Sequence, residues 1–272
     1  MKRKETFSKL ETWIQKIPTW LFVTGTVILL AIVALWLEVD AIHSFRDAIK
    51  VLFKNAESIA IVAAVILFFK EAPNRKTQKH YEAWQVIDRA AAAKVPTSYA
   101  RIQALQDLNE DGVSLGGINL PGAYLQDIQL QGAILIGADL CGADLVCANL
   151  SRANLSRANL SHAILIDANL NRANLGVTDL SYAILGIANL SDADLSDADL
   201  SHANLCDADL DSAFLHNANL SDADLNRADL SRADLSGADF RHAKNLAPTQ
   251  IKSAQNWEYA IYDQAFRKEL GL

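Results

Sequence analysis

Six histidines, three cysteines and a large excess of aspartate are the residues of this 272-residue sequence whose types suit catalysis or metal binding. Their spacing decides whether they do either. Cys141, Cys147 and Cys206 show neither CxxC nor CxH spacing, which argues against a zinc or dithiol site. They are also too few and too scattered for a disulfide framework, and their odd count points to a reducing compartment. The aspartates recur at fixed intervals, and repetition accounts for them better than catalytic tuning, which needs one cleft and one particular partner. Gly132, Gly137 and Gly142 also recur at five-residue intervals and form no phosphate-cradling loop. His162, Tyr182, His202, Asp222 and His242 follow one another at intervals of 20 residues. These patterns predict no catalytic residues, no metal site and no cofactor, and the chain reads as a protein that is not an enzyme.

The elements that carry these residues divide the chain in two. Hydrophobic residues make up 51% of it, a high fraction for a soluble protein, while 12 Gly and 5 Pro exclude collagen-like and low-complexity readings. Net charge is −7 and unevenly spread: residues 111–243 hold 18 Asp against 6 Arg, so the front is basic and the body acidic. Residues 18–37 carry no charge, and a helix of about 20 residues covers the roughly 30 Å hydrocarbon core of a bilayer. The sequence therefore predicts a transmembrane helix over 18–38, with Trp20 and Trp36 near its ends. A second span is predicted over 54–70, although only Ser58–Phe69 is free of charge. Lysine and arginine are denser before the first run and after the second than between them. By the positive-inside rule both flanks, including the basic N-terminus 1–17, are expected in the cytoplasm. Residues 71–110 read as a helical linker and N-terminal cap, broken at Pro96 and resumed after Thr97 or Ser98. Tyr81, Trp84 and Ile87, and then Ile102, Leu105 and Leu108, form narrow apolar stripes that need cover.

From Leu115 to Phe240 every fifth residue is Leu, with Phe only at the end, in 26 consecutive pentads. Ala stands two places before it in 22 of them; Val113, Ile118, Ile128 and Thr178 are the exceptions. An α-helix cannot use this period, because five steps of about 100° scatter successive leucines around it. A flat strand fails as well, since an odd repeat sends alternate leucines to opposite faces. The pattern works as a short extended piece followed by a corner, with Leu (position i) and Ala (i−2) inside. Positions i−1, i+1 and i+2 then face water, and the Asx and Ser residues common there suit corners.

The run SRANLSRANLSHAIL and its kin, such as SDADLSDADLSHANL, closely resemble the pentapeptide-repeat proteins, whose motif is A(D/N)LXX. The resemblance covers almost half of the chain. It implies an all-β solenoid, a right-handed quadrilateral β-helix with four pentads per coil over residues 111–243. At roughly 4.8 Å per coil the rod would be on the order of 31 Å long. The chain as a whole is similar to membrane-tethered members of the family common in cyanobacteria. An integral membrane protein of a plasma or thylakoid-type membrane is therefore expected, with the bilayer as one partner and the repeat domain in the cytoplasm. Residues 244–272 are expected to close the far end as a helical cap, with Pro248 in a first turn and Ile251, Trp257, Ile261 and Phe266 as apolar cover.

Under this geometry residues 20 apart stack on one side. His162, Tyr182 and His202 become a surface column in which the two histidines lie about 10 Å apart, too far for one metal. The three cysteines fall at outward positions on adjoining faces. One face collects Val146, Ile164, Ile166, Ile184 and Ile187 at positions that should be polar, which marks a candidate partner-binding surface. Ile134, Ile136 and Val177 are expected on an adjoining face, with Phe214 further along. Residues 191–240 hold 12 Asp and 2 Arg, a surface that repels nucleic acid, so no nucleic acid partner is expected. The sequence thus predicts a non-catalytic, membrane-anchored scaffold for an unknown protein partner or a homo-oligomer. The alternatives are an accessory subunit of a membrane assembly in lipid or envelope biogenesis, or a DNA-mimicking binder of a type II topoisomerase.

Overall fold

The computed structural model describes residues 19–38, 44–92 and 98–272, and the chain divides into two compact units, residues 1–81 and 82–272. The basic N-terminus 1–17, Pro96 and Thr97 lie outside the described residues. The first unit contains α1 (Thr19–Leu37), α2 (Phe45–Lys54) and most of α3 (Ala56–Ala92). Ser44 caps α2 by accepting the Asp47 backbone N–H at 3.3 Å.

The membrane expectation is overturned: among the described residues no helix is long and apolar enough to cross a membrane. α1 comprises 19 described residues, and Thr19, Thr24 and Thr26 interrupt its apolar sequence. α3 is longer at 37 residues, but Lys70 and Glu71 end its apolar run after Phe69. Neither predicted span, 18–38 or 54–70, meets the requirement, and the integral-membrane localisation and bilayer-based topology fall with them.

In the second unit Ser98 caps α4 (Tyr99–Glu110), accepting the Arg101 backbone N–H at 3.2 Å. α4 turns Leu105 and Leu108 onto the first coil, and with Ile87 of α3 they join one continuous core; Tyr81, by contrast, is exposed. Gln106 and Asn109 meet the coil's open backbone edge: Gln106 Oε1 accepts the Gln129 N–H at 2.9 Å and Asn109 Nδ2 donates to the Gln131 carbonyl at 3.2 Å. These bonds occupy groups that would otherwise invite edge-to-edge pairing.

Beyond α4 each pentad makes one side of a four-sided coil. The residue before each Leu forms a parallel bridge with its counterpart 20 residues on, from Asn119 with Asp139 through to Asp224 with Lys244. The parallel bridges build the expected β-helix, although no continuous strand forms among the described residues, because a turn every five residues leaves a single bridging residue per side. The repeat leucines and the alanines before them are buried along the whole axis. Full burial of a Leu stabilises by about 1.5–3 kcal/mol, so the column of leucines is the main source of stability. Thr178 tolerates an Ala position because its hydroxyl donates to the Leu155 carbonyl at 2.8 Å.

The backbone hydrogen bonds explain the outward residues. In the pentad around Leu165, the Leu N–H donates to the next coil at Ile184 O (2.7 Å) and the Asp167 N–H to Gly186 O (3.1 Å). The Ile164 N–H reaches back to Ala143 O (2.9 Å), and the Ala168 N–H closes the turn on Leu165 O (3.1 Å). The fifth donor, the N–H at i+1, finds its acceptor in the side chain at i−1: Asn149 Oδ1 takes the Ser151 N–H at 3.2 Å and Asp199 Oδ1 the Ser201 N–H at 2.9 Å. This bond is the local reason for Asx at i−1. The i+2 residue has positive φ at every turn, including Val177 at 59° and Ile187 at 52°.

At the far end residues 244–272 form α5 (Pro248–Lys252), a short 3₁₀ turn (Trp257–Tyr259) and α6 (Gln264–Leu270). Ile251, Tyr262 and Leu270 are buried there and Trp257 and Phe266 pack on the core, whereas Ile261 points outward because its backbone bridges to Asp239. Gln250 Nε2 donates to the carbonyls of Leu225 and Ala228 at 3.0 and 2.8 Å, occupying that edge.

Candidate functional site

The side of the rod built on Leu125, Leu145, Leu165, Leu185 and Leu205 differs from the others. Its bridging residues are Tyr124, Asp144, Ile164, Ile184 and Asn204, one per coil. The corner entering it carries His162, Tyr182 and His202, whose rings stack with centroids 5.0 and 4.6 Å apart and planes 11° from parallel. The corner leaving it carries Val146, Ile166 and Ile187. The predicted column and the predicted apolar patch therefore share one surface, which the sequence treated as two features. Tyr182 is 50% exposed, Ile184 36%, Ile166 37% and Ile187 53%, while Ile164 and Val146 are half-buried. Tyr124, exposed on the same side, extends the patch and was not singled out from the sequence; its position before Leu125 was the available signal.

The remaining apolar exceptions lie elsewhere. Ile134 and Phe214 belong to the column through Asn154, Asn174 and Asp194, two pentads round the coil from Ile164. With four pentads per coil that is the opposite side, which corrects the expected adjoining face. Polar residues on three coils separate Ile134 from Phe214, and Val177 stands between Arg157 and Asp197 in its own column, so no continuous patch forms there.

Electrostatics sharpen the distinction. From residue 121 to 207 the outward positions of the Tyr182 side include no Lys or Arg; Asp127, Asp144 and Asp167 border its apolar centre, and Asp207 pairs with Arg227 of the next coil at 3.0 Å. All three cysteines flank this side, Cys141 at the entering corner and Cys147 and Cys206 at the leaving one. Partial desolvation, followed by the nearby carboxylates Asp167 and Asp127, raises the Cys147 thiol pKa, and desolvation with Asp224 does the same for Cys206. Both are therefore poor nucleophiles at neutral pH. Among the described residues no group of His, Cys, Asp and Glu is placed to hold a metal ion. His202 Nε2 faces Asp222 Oδ2 at 4.0 Å on the exposed surface, a solvated pair.

A cavity of about 740 Å³ opens where α3, α4 and the first coil meet. Trp84, Ile87, Asp88, Arg101 and residues 116–123 line it, and Asp88 is the one carboxylate among them. The Tyr182 side has the shape and chemistry of a contact surface: flat, apolar at its centre, acidic at its rim and rigid.

Comparison with known proteins agrees with the repeat architecture. A family model described as pentapeptide repeats, in 8 copies, matches residues 111–145, 123–161, 143–181, 188–227 and 213–244. No curated protein matches the chain. Among solved structures, similarity is found to HetL, a pentapeptide repeat protein involved in heterocyst differentiation regulation in the cyanobacterium Nostoc sp. strain PCC 7120 (33% identity, 55% of this chain, 76% of that one, TM-score 0.26). A second Nostoc PCC 7120 pentapeptide repeat protein is 36% identical over 40% of this chain and 84% of its own, with a TM-score of 0.30. Rfr23 from the cyanobacterium Cyanothece 51142 is 26% identical over 60% of this chain and 99% of its own, with a TM-score of 0.30.

Proposed function

Because the chain belongs to the pentapeptide-repeat family, we propose that it works as a non-catalytic interaction scaffold whose contact surface is the side of the rod bearing Tyr182, Ile164 and Ile184. Members of this family have protein-interaction roles and are generally non-catalytic. The observation that carries the reading is the gathering of the stacked rings and the apolar patch on one side that carries no Lys or Arg between residues 121 and 207. Such contiguous apolar surface, rimmed by polar groups, is characteristic of protein contact sites. A core filled by Leu and Ala holds that surface rigid, so little conformational entropy is lost when it is engaged.

A photo-crosslinking amino acid in place of Tyr182, and in a second protein in place of Val177 on another side, tests the proposal in native extracts. Adducts are expected from position 182 alone, and Ile164→Asn with Ile184→Asn should abolish them. Equal adducts from both positions, or adducts unaffected by the double substitution, would remove the Tyr182 side as the contact surface.

A further inference from the structure

Three residues on the Tyr182 side work against the stability of the rod. Ile164 and Ile184 occupy the i−1 position, where Asp or Asn elsewhere accepts the N–H two residues on. An isoleucine has no acceptor, so the Ile166 and Gly186 N–H groups lose a bond worth about 0.5–1.5 kcal/mol each. Ile187 is β-branched with φ of 52°, a left-handed conformation that costs an L-residue roughly 1–2 kcal/mol. Its side chain gains little burial in return. The same exceptions stand singly at Ile134, Phe214 and Val177 on other sides, and only on the Tyr182 side do they fall on adjacent coils and form contiguous apolar surface.

What binds there follows from charge and spacing. A second copy meeting the middle coils of this surface face to face would set Asp127, Asp144 and Asp167 against the same carboxylates, with no Lys or Arg among them to neutralise them. Nucleic acid is repelled for the same reason. A cationic partner is attracted. Rings stacked from coil to coil at 4.6–5.0 Å set the ridge spacing of the surface. An α-helix laid along the rod repeats its side chains every turn, about 5.4 Å, so residues at i, i+3/i+4 and i+7 meet successive coils. We propose that this surface receives a cationic amphipathic α-helix, its apolar stripe on Ile164, Ile184 and Ile187 and its Lys or Arg residues over Asp144 and Asp167. The inference rests on the scaffold reading above and adds the chemistry of the partner.

The probe is an 18-residue helical Leu/Lys peptide with its leucines on one face, titrated onto the full chain by fluorescence anisotropy. A scrambled peptide of identical composition and the Leu/Glu counterpart serve as comparisons. The ordered Leu/Lys peptide is expected to bind at least about tenfold more tightly than either, and Ile164→Asn with Ile184→Asn should weaken it by about tenfold. Asn is the residue common at those positions, so this variant retains the fold. Asp144→Asn with Asp167→Asn should weaken binding by about threefold, with the loss disappearing at high salt. Equal affinity for the scrambled peptide, or no effect of the isoleucine substitutions, would overturn the inference. Should crosslinks from position 182 persist while the Leu/Lys peptide fails to bind, the scaffold reading stands and the cationic-helix partner falls.

Discussion

Residue by residue, the outward positions of this protein follow from where each backbone N–H finds its acceptor. Four of the five donors in a pentad are satisfied by neighbouring coils or by the turn, and the fifth depends on the side chain before Leu. Asx there is a structural requirement, which is why the aspartates give no sign of catalysis. Ile187 tests the opposite case. Replacing it with Asn, which tolerates left-handed backbone, should raise the stability of the repeat unit by about 1 kcal/mol. The same change should weaken the cationic-helix contact. Thermal melts and peptide titration of Ile187→Asn check both effects, and a variant that is destabilised, or binds unchanged, contradicts the assignment of this residue. The pentad itself was readable in the sequence because its period excludes both helix and strand. The merging of His162, Tyr182 and His202 with the isoleucines was not drawn out, because the corner residues belong to one pentad and the bridging residues to the next.

Taken as elements, the coils are interchangeable and the ends are not. α4 closes the first coil with Leu105, Leu108, Gln106 and Asn109, and residues 244–272 close the last with Ile251, Tyr262 and Gln250. Apolar stripes mark the covers at both ends in the sequence, but Ile261, expected inside, uses its backbone as the bridge to Asp239. The cavity beside Arg101 was missed because it arises between three segments, each unremarkable alone. Truncation after Ala243 would expose the edge groups now met by Gln250, Gln255 and Ile261. Such a variant is expected to associate progressively with concentration, since an open coil templates another. Analytical ultracentrifugation of the truncated and intact chains reads this directly, and a monomeric truncated chain would show that the cap is dispensable.

Across the whole molecule the rod is polarised, apolar on one side of its middle coils and acidic toward its C-terminal end. Asp224, Asp229, Asp234 and Asp239 all titrate below the ordinary value of 3.8: hydrogen bonds from Asn245, Ser231, Ser236 and Arg241 respectively are the leading causes. A depressed carboxylate contributes stability that is present above its unfolded pKa and lost as pH falls through its folded one. The last coils should therefore loosen first below pH 3.8, while the middle of the rod holds. Hydrogen exchange at pH 6 and pH 3 checks this: faster exchange beginning around residue 220 is expected, and uniform protection along the rod at both pH values would contradict it. The front of the chain was the least legible part, because an uncharged run satisfies hydropathy without guaranteeing a helix of sufficient length.

The twenty-residue register between bridged positions also constrains how such a gene can change in length. Losing or duplicating a single pentad would swing everything downstream by a quarter turn and split a surface assembled across several layers. Four pentads inserted together would only lengthen the stack, leaving each side facing its original direction.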